Sequence, residues 1–173
     1  MQSVYVAGVG LTRFGKDPRS LGEIFSEAAH LALAETAEVD ALYIGVMSPA
    51  EFTGHGNIAS LIADAVDLTG VPATRVETAS SAGAAALMAG FQAIASGYYR
   101  RVLVLAGEKM THLSTSATTR ILAEVIDPRE RLCGATMPAL AAMITEKYRQ
   151  KFHLSEARLE NILCSIALKN HGN

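Results

Sequence analysis

The chain has 173 residues, of which 50% are hydrophobic, 18% charged and 6% aromatic, and its formal net charge is −2. This balance provides a sizeable core and excludes a disordered chain, while the near-neutral charge without a basic block argues against nucleic-acid or acidic-membrane partners. No signal peptide opens the sequence and no apolar stretch is long enough to span a bilayer, so we expect a cytoplasmic protein without a membrane span.

Strands and helices alternate from the start of the sequence. Val4–Val9 is a short apolar run closed by Gly10, which predicts a buried strand. Ser20 and Glu23 have the spacing of a capping box, which satisfies the N–H groups at a helix start. The residues that follow have helical spacing and predict one buried stripe, formed by Leu21, Ile24, Phe25, Ala28, Leu31 and Ala32.

Further strand–helix pairs follow. Residues 41–47 predict a second strand ended by Pro49, and a third strand is expected over 73–77 and a fourth over 102–106. Between them, one helix is expected to end at Gly70 and is marked by Ile58, Leu61, Ile62, Ala65 and Val66. The next helix is predicted over 84–96, with Gly97 after it. Because the strands are continuous apolar runs, the pattern indicates an α/β fold with a mostly parallel sheet covered on both faces.

The texture changes after Glu108. Residues 111–131 carry Ser, Thr and charges around a short apolar patch, Ile121–Ile126. Two further helices are predicted over about 137–151 and 155–168, with Ser155 as the N-cap of the second.

One predicted helix is unusual because residues 82–95 are apolar on nearly every side. A helix without a polar face is expected to be buried all round. Four short strands cannot both form a sheet and enclose it. We therefore expect a further layer, supplied by sequence outside this chain or by a partner.

The segment most informative about chemistry is Val76–Gly83, a turn of small residues between a strand and that helix. Such a turn can expose a nucleophile beside helix-start N–H groups, whereas Ser80 and Ser81 can equally be simple helix caps. Ser81 also lies in an approximate Gly-x-Ser-x-Gly elbow, but the first Gly is Ala79 and no triad histidine is evident. A dinucleotide motif at Gly8 is weaker still, because Arg13 replaces its third glycine.

Five segments, in order and at matching spacing, resemble the thiolase superfamily, especially lipid-transfer-protein thiolases and archaeal acetyl-CoA acetyltransferases. They are Val6–Gly15, Val76–Gly83, Val102–Thr111, Gly134–Pro138 and Ala167–His171. The resemblance implies only the N-terminal half of a longer enzyme with two similar halves, this one a βαβαβαβ half without its last strand. Residues 1–110 would form the incomplete α/β domain and residues 111–173 part of a helical loop domain that receives coenzyme A.

The family pattern at the turn is Glu-x-Ala-Cys-x-x-Gly, in which the cysteine is acylated, and here Ser80 occupies that position. The serine at position 80 is either an engineered, inactivating substitution or the natural residue of a family member that does not use covalent acyl transfer.

Cys133 and Cys164 form no metal or redox motif, and both are expected to be buried, inert thiols. With no disulfide framework indicated, a reducing compartment is expected. The family's catalytic histidines lie in the other half. His112, His153 and His171 are therefore expected to be surface or structural residues, and His55 to lie in a loop or line a pocket.

The resemblance implies an acyltransferase acting on acyl-CoA thioesters, with coenzyme A as substrate and no metal or redox cofactor. It also implies a homodimer or homotetramer, with the strand at 73–77 near the two-fold axis. The alternative is a thiolase-like protein that does not perform thiolysis, either a carbon–carbon lyase (aldolase) relative or a non-catalytic subunit paired with a small partner.

Overall fold

The computed structural model describes residues 3–33 and 38–172. The chain divides into two compact units, one up to Ile121 and one from Leu122 onward. The first unit contains the sheet and the helices that cover it, and the second is helical.

The sheet has three parallel strands, β1 (Ala41–Gly45), β2 (Ala73–Val76) and β3 (Val102–Ala106), in the order β2-β1-β3. Side chains alternate between its faces, as they must in a strand. Leu42 and Ile44 of β1 belong to the buried core on one face, whereas Tyr43 and Gly45 lie against a helix on the other. The predicted parallel α/β sheet with both faces covered is therefore confirmed.

Two helices cover the core face, α1 (Leu21–Leu33) and α3 (Ile58–Ala65), and the short α2 (Pro49–Thr53) precedes α3. The capping box predicted at the start of α1 is present. Ser20 N donates to Glu23 Oε2 at 2.7 Å, and Glu23 N donates to Ser20 Oγ at 3.2 Å. Phe25 and Ala29 are the centre of the buried stripe, whereas Leu31, predicted within it, is half exposed.

The first predicted strand is wrong. Residues 4–9 are not a strand, and Val6 and Val9 are 79% and 80% exposed. The segment instead passes over α1 so closely that a Cβ on Gly8 would collide with the carbonyl of Ala32. A strand requires a neighbouring strand, and within the described ranges none lies beside this segment, so an apolar run was not sufficient.

Two predicted element ends differ from those in the structure, and one strand matches its prediction. β1 ends at Gly45 rather than at residue 47, because Val46 leads into the turn before α2. Helix α3 ends at Ala65, and Gly70 lies in the loop beyond it with a φ of +86° rather than terminating it. The fourth predicted strand, 102–106, matches β3.

The opposite face of the sheet is covered by α4 (Ala82–Ala95), which contacts all three strands. Its small residues face the sheet and allow close packing, and Gly90 packs so tightly that a Cβ there would lie 2.8 Å from Val104 Cγ2 unless that methyl group moved. Its other face is exposed, with Leu87, Met88 and Phe91 at 60%, 56% and 43%. No described element covers that face, so the further layer expected over α4, from sequence outside this chain or from a partner, stays a prediction.

Helix α5 (Thr115–Leu122) and a 3₁₀ turn (Ala123–Val125) contain the predicted apolar patch up to Val125, and its last residue, Ile126, follows the turn. The second unit continues with α6 (Pro128–Leu132), α7 (Met137–Lys151) and α8 (Glu156–His171). The predicted N-cap of α8 is confirmed, since Ser155 Oγ accepts a hydrogen bond from Arg158 N at 3.2 Å.

Cys133 and Cys164 are both exposed free thiols, so the prediction that they are buried is wrong. Cys133 follows α6 and Cys164 lies on α8. None of the helices α6, α7 and α8 has a buried residue. The apolar character of cysteine was therefore not enough to predict that these two side chains are buried.

Candidate functional site

The turn that joins β2 to α4 lies over the carboxyl ends of the three parallel strands. Gly45 ends β1, and a Cβ on it would lie 2.8 Å from the carbonyl carbon of Ala82 and 2.9 Å from Gly83 Cα. A Cβ on Gly83 would in turn lie 3.1 Å from Cβ of Ala106, the last residue of β3. The first turn of α4 is therefore seated directly on the ends of β1 and β3. Open parallel sheets bind ligands at this edge.

Residues 77–81 form a tight turn with an unusual backbone. Ala79 has a φ of +50°, a left-handed conformation that residues with a Cβ rarely adopt. The Glu77 carboxylate accepts a hydrogen bond from Ala79 N, and Ala82 N donates to Ala79 O at 3.0 Å. These bonds hold the chain reversal immediately before Ser80.

Ser80 is exposed at the top of this turn, two residues before α4 begins. No described residue forms a hydrogen bond with its hydroxyl group. The helix itself leaves the N–H groups of its first turn, including those of Gly83 and Ala84, without i−4 carbonyl partners, and its dipole places partial positive charge at this end. The fold thus places residue 80 two positions before a helix start, where the helix dipole favours negative charge.

Ser81 has a different role from either role considered in the sequence. It occupies the N-cap position of α4, but its side chain makes no cap bond. Its Oγ donates to Thr78 O at 2.7 Å and lies 3.0 Å from Thr78 Oγ1. A hydroxyl group whose proton is held by a backbone carbonyl is a poor nucleophile, which weighs against the hydrolase interpretation.

Glu108, two residues beyond β3, is a feature of this edge that the sequence reasoning missed. Its Oε2 accepts hydrogen bonds from Met47 N at 2.8 Å and Ser48 N at 3.3 Å. Its Oε1 is buried without a hydrogen-bond partner among the described residues, and burial raises the pKa of the Glu108 carboxyl above its ordinary value. Arg75 donates to Met47 O at 2.8 Å, so the loop after β1 is held from both sides. An acidic residue two positions after an apolar strand was the available signal in the sequence.

A cavity of about 750 Å³ lies on the α1 and α3 side of this edge, and Ser80 does not line it. Its lining includes Arg19, Leu21, His55, Lys109 and His112. The cationic groups already have partners. Arg19 pairs with Asp17 and Glu27, each at 2.6 Å, and Lys109 Nζ donates to the carbonyls of Asp17 and Arg19. The Arg19 guanidinium lowers the pKa of Asp17 to about 2.

The histidines lie in loops and at helix ends. His55 lies in the exposed loop between α2 and α3 and lines the cavity, in agreement with both of its predicted settings. His112 has the structural role expected, since its Nε2 donates to Phe52 O at 2.9 Å. His153 and His171 are exposed, at the ends of α7 and α8. Among residues 3–33 and 38–172, no three His, Cys, Asp or Glu side chains are grouped so that they could hold a metal ion.

These features define a parallel α/β domain whose candidate site is a strand-to-helix turn at the carboxyl edge of the sheet. Residues 5–173 match the model of the thiolase N-terminal domain, and the chain belongs to the thiolase family. The predicted resemblance is confirmed, and no helix in the described part of the chain is long and apolar enough to cross a membrane.

Individual relatives agree. The chain is 35% identical over 178 residues to the acetyl-CoA acetyltransferase of Methanothermobacter thermautotrophicus, covering 100% of this chain and 45% of that protein. It is 37% identical over 160 residues to the acetyl-CoA acetyltransferase of Methanocaldococcus jannaschii, covering 90% and 41%. Sterol carrier protein 2 of Oryctolagus cuniculus is 33% identical over 122 residues, with 66% and 22% covered. The chain thus spans less than half the length of the curated relatives it matches.

Proposed function

We propose that the protein containing this chain is an acyltransferase that acts on acyl-CoA thioesters, with position 80 as the acyl acceptor. The observation that carries the proposal is the placement of Ser80 between the end of β2 and the start of α4, on the carboxyl edge of the sheet. Support also comes from the two archaeal relatives, both named acetyl-CoA acetyltransferase.

The proposed step is attack by the side chain at position 80 on the thioester carbonyl carbon. The bond from that carbon to the sulfur of coenzyme A breaks, and coenzyme A leaves as a thiol with the nucleophile's proton. The first-turn N–H groups of α4 would stabilise negative charge at this helix end. A thiolate suits the step much better than a serine hydroxyl, which remains protonated at neutral pH. We therefore expect the chain with Ser80 to react slowly.

The experiment replaces Ser80 with cysteine in the full-length protein and measures a covalent acyl adduct by mass spectrometry after incubation with short acyl-CoAs. Because Cys133 and Cys164 are exposed, both are changed to serine in every variant so that they do not contribute adducts. The matched control is Ser81→Cys, which places a thiol one residue further along. We expect an adduct with Ser80→Cys that exceeds the control by at least about 10-fold, because the reaction depends on precise placement of the nucleophile.

The alternative is a thiolase-like protein that does not perform thiolysis, either a carbon–carbon lyase relative or a non-catalytic subunit with a small partner. Ser80 itself favours this alternative, because no basic side chain among the described residues forms a hydrogen bond with its hydroxyl group and could accept its proton. If folded Ser80→Cys protein is not acylated by short or medium acyl-CoAs, the acyltransferase proposal fails and this alternative replaces it. A serine codon in the natural gene would favour the alternative, and a cysteine codon the acyltransferase.

The proposal extends to the domains, the oligomeric state and the compartment of the protein. The resemblance supports residues 1–110 as the site-bearing domain and residues 111–173 as part of the region that receives coenzyme A. It also supports a homodimer or homotetramer, and β2 has an open edge available, since it pairs only with β1 among the described strands. A reducing compartment such as the cytoplasm suits two exposed free thiols.

A further inference from the structure

The residue directly before Ser80 has a left-handed backbone conformation. Ala79 has a φ of +50° although it carries a Cβ, and glycine is the residue that adopts this conformation freely. A chain with alanine there needs an interaction that holds the turn in this state. The position of the next side chain depends on it.

We propose that Glu77 is the positioning residue for the side chain at position 80, which it directs by holding Ala79 in the left-handed conformation. The inference rests on the proposed function of position 80. The carboxylate of Glu77 accepts the hydrogen bond from Ala79 N, two residues further along the same turn. On the other side, Ser81 N donates to Thr78 O at 3.2 Å, so the two bonds bracket residues 78–80.

Glu77 is suited to this role because it does little else. Its side chain is exposed, so truncation leaves no cavity, and in the described ranges it forms no ion pair with a basic side chain. The packing of α4 on the sheet depends instead on buried residues further along, Ala82, Ala86 and Gly90. Removing the carboxylate should therefore change the turn without unfolding the domain.

The test compares Glu77→Gln with Glu77→Ala in the full-length protein carrying Ser80→Cys, with Cys133 and Cys164 changed to serine. Both variants are uncharged, but only glutamine retains an oxygen that accepts the Ala79 N–H bond. The comparison therefore separates the hydrogen bond from the charge. A third variant combines Glu77→Ala with Ala79→Gly, because glycine adopts a positive φ without help.

Two readouts are measured. The first is the rate at which a short acyl-CoA acylates the thiol introduced at position 80, followed by mass spectrometry. The second is the rate at which iodoacetamide alkylates the same thiol across pH, which reports its pKa and needs no acyl-CoA. Urea unfolding midpoints show whether the variants remain equally stable.

We expect Glu77→Ala to slow acylation by about 10- to 100-fold relative to Glu77→Gln, as a displacement near 1 Å does to a reacting group. We also expect it to move the pKa of the introduced thiol towards the value of about 8.5 for a free cysteine, because the sulfur leaves the helix start. Ala79→Gly should recover at least part of both effects, with the unfolding midpoint unchanged throughout.

The inference is overturned if Glu77→Ala and Glu77→Gln agree in both readouts, or if Glu77→Ala acts only by lowering the unfolding midpoint. Failure of the proposed function gives a different result. In that case no variant is acylated, while the alkylation profiles still separate alanine from glutamine.

Discussion

The contact between the end of β1 and the start of α4 can be tested by adding one methyl group, in the variant Gly45→Ala. The new Cβ would lie 2.5 Å from Ala82 O, 2.8 Å from the Ala82 carbonyl carbon and 2.9 Å from Gly83 Cα. Ordinary contacts between heavy atoms begin at about 3.5 Å, so the first turn of α4 must retreat by about 1 Å. Gly45 cannot yield instead, because it is paired with both Val76 and Ala106 in the sheet.

The obstacle is helix backbone rather than a flexible side chain, so we expect a loss of stability of about 1–3 kcal/mol, the range for overpacked cores. The same retreat carries position 80 with it. Acylation of the Ser80→Cys protein should therefore fall by about 100-fold, as it does for a misplacement of this size. A 100-fold loss of rate corresponds to about 2.7 kcal/mol, so the effects on the reaction and on the fold are expected to be of similar size.

The assay is urea unfolding of the full-length protein together with the acylation rate, each compared with Gly56→Ala. Gly56 is the matched control because a Cβ there meets nothing within 4 Å and its backbone is not in the left-handed region. Gly90→Ala is an intermediate case, since the atoms it meets are the methyl groups of Val104 and Val102, at 2.8 and 3.2 Å, which can move. If Gly45→Ala matches Gly56→Ala in stability and rate, the seating of α4 on β1 is not what positions residue 80.

Other predictions follow from the charges and surfaces. Burial raises the pKa of Glu108 in the folded state, so the folded protein binds the extra proton and stability falls as pH rises from the unfolded carboxyl value through the folded one. As pH rises through that window, the free energy of unfolding of Glu108→Gln, measured in urea at a series of pH values, should therefore increase relative to that of the parent. A difference that is the same at every pH would refute the raised pKa of Glu108. Glu23→Gln should show the opposite dependence, losing stability relative to the parent as pH rises. Hydrogen bonds from Ser20 lower the pKa of Glu23, so the stability that its carboxylate contributes is lost as pH falls. Residues 1–173 expressed alone should aggregate or bind a hydrophobic dye, because Leu87, Met88 and Phe91 are exposed, and a soluble monomer with a sharp cooperative melt would contradict this. The full-length protein should scatter in solution as a dimer or tetramer, and a monomer at micromolar concentration would remove that part of the proposal.

Local patterns predicted the elements well where the evidence was local. The capping box at Ser20 and Glu23, the strand at 102–106 and the N-cap at Ser155 each involve residues a few positions apart, and all are present. The same holds for the turn at Ser80, whose position between a strand and a helix follows from the order of the elements.

Features that depend on distant neighbours could not be predicted in this way. The apolar run at 4–9 has the composition of a strand, but pairing requires a second strand beside it, and no pattern within the run reports one. Glu108 was missed because the N–H group it binds belongs to Met47, 61 residues earlier. The exposed thiols of Cys133 and Cys164 were misjudged for a related reason, since burial depends on what surrounds a helix rather than on the residue type.

The strand order has a consequence for how the domain forms during synthesis. The central strand, β1, leaves the ribosome before both of its neighbours, since Leu42 pairs with Ala73 on one side and with Leu103 on the other. One edge is satisfied when β2 emerges, but the second remains open until α4 and β3 have also been made. Throughout that interval the nascent chain exposes an apolar strand edge, the kind of surface on which misassembly and chaperone binding depend. A pause in translation after β2 has emerged but before β3 has left the ribosome would lengthen this exposure, whereas a pause after β3 has emerged would not.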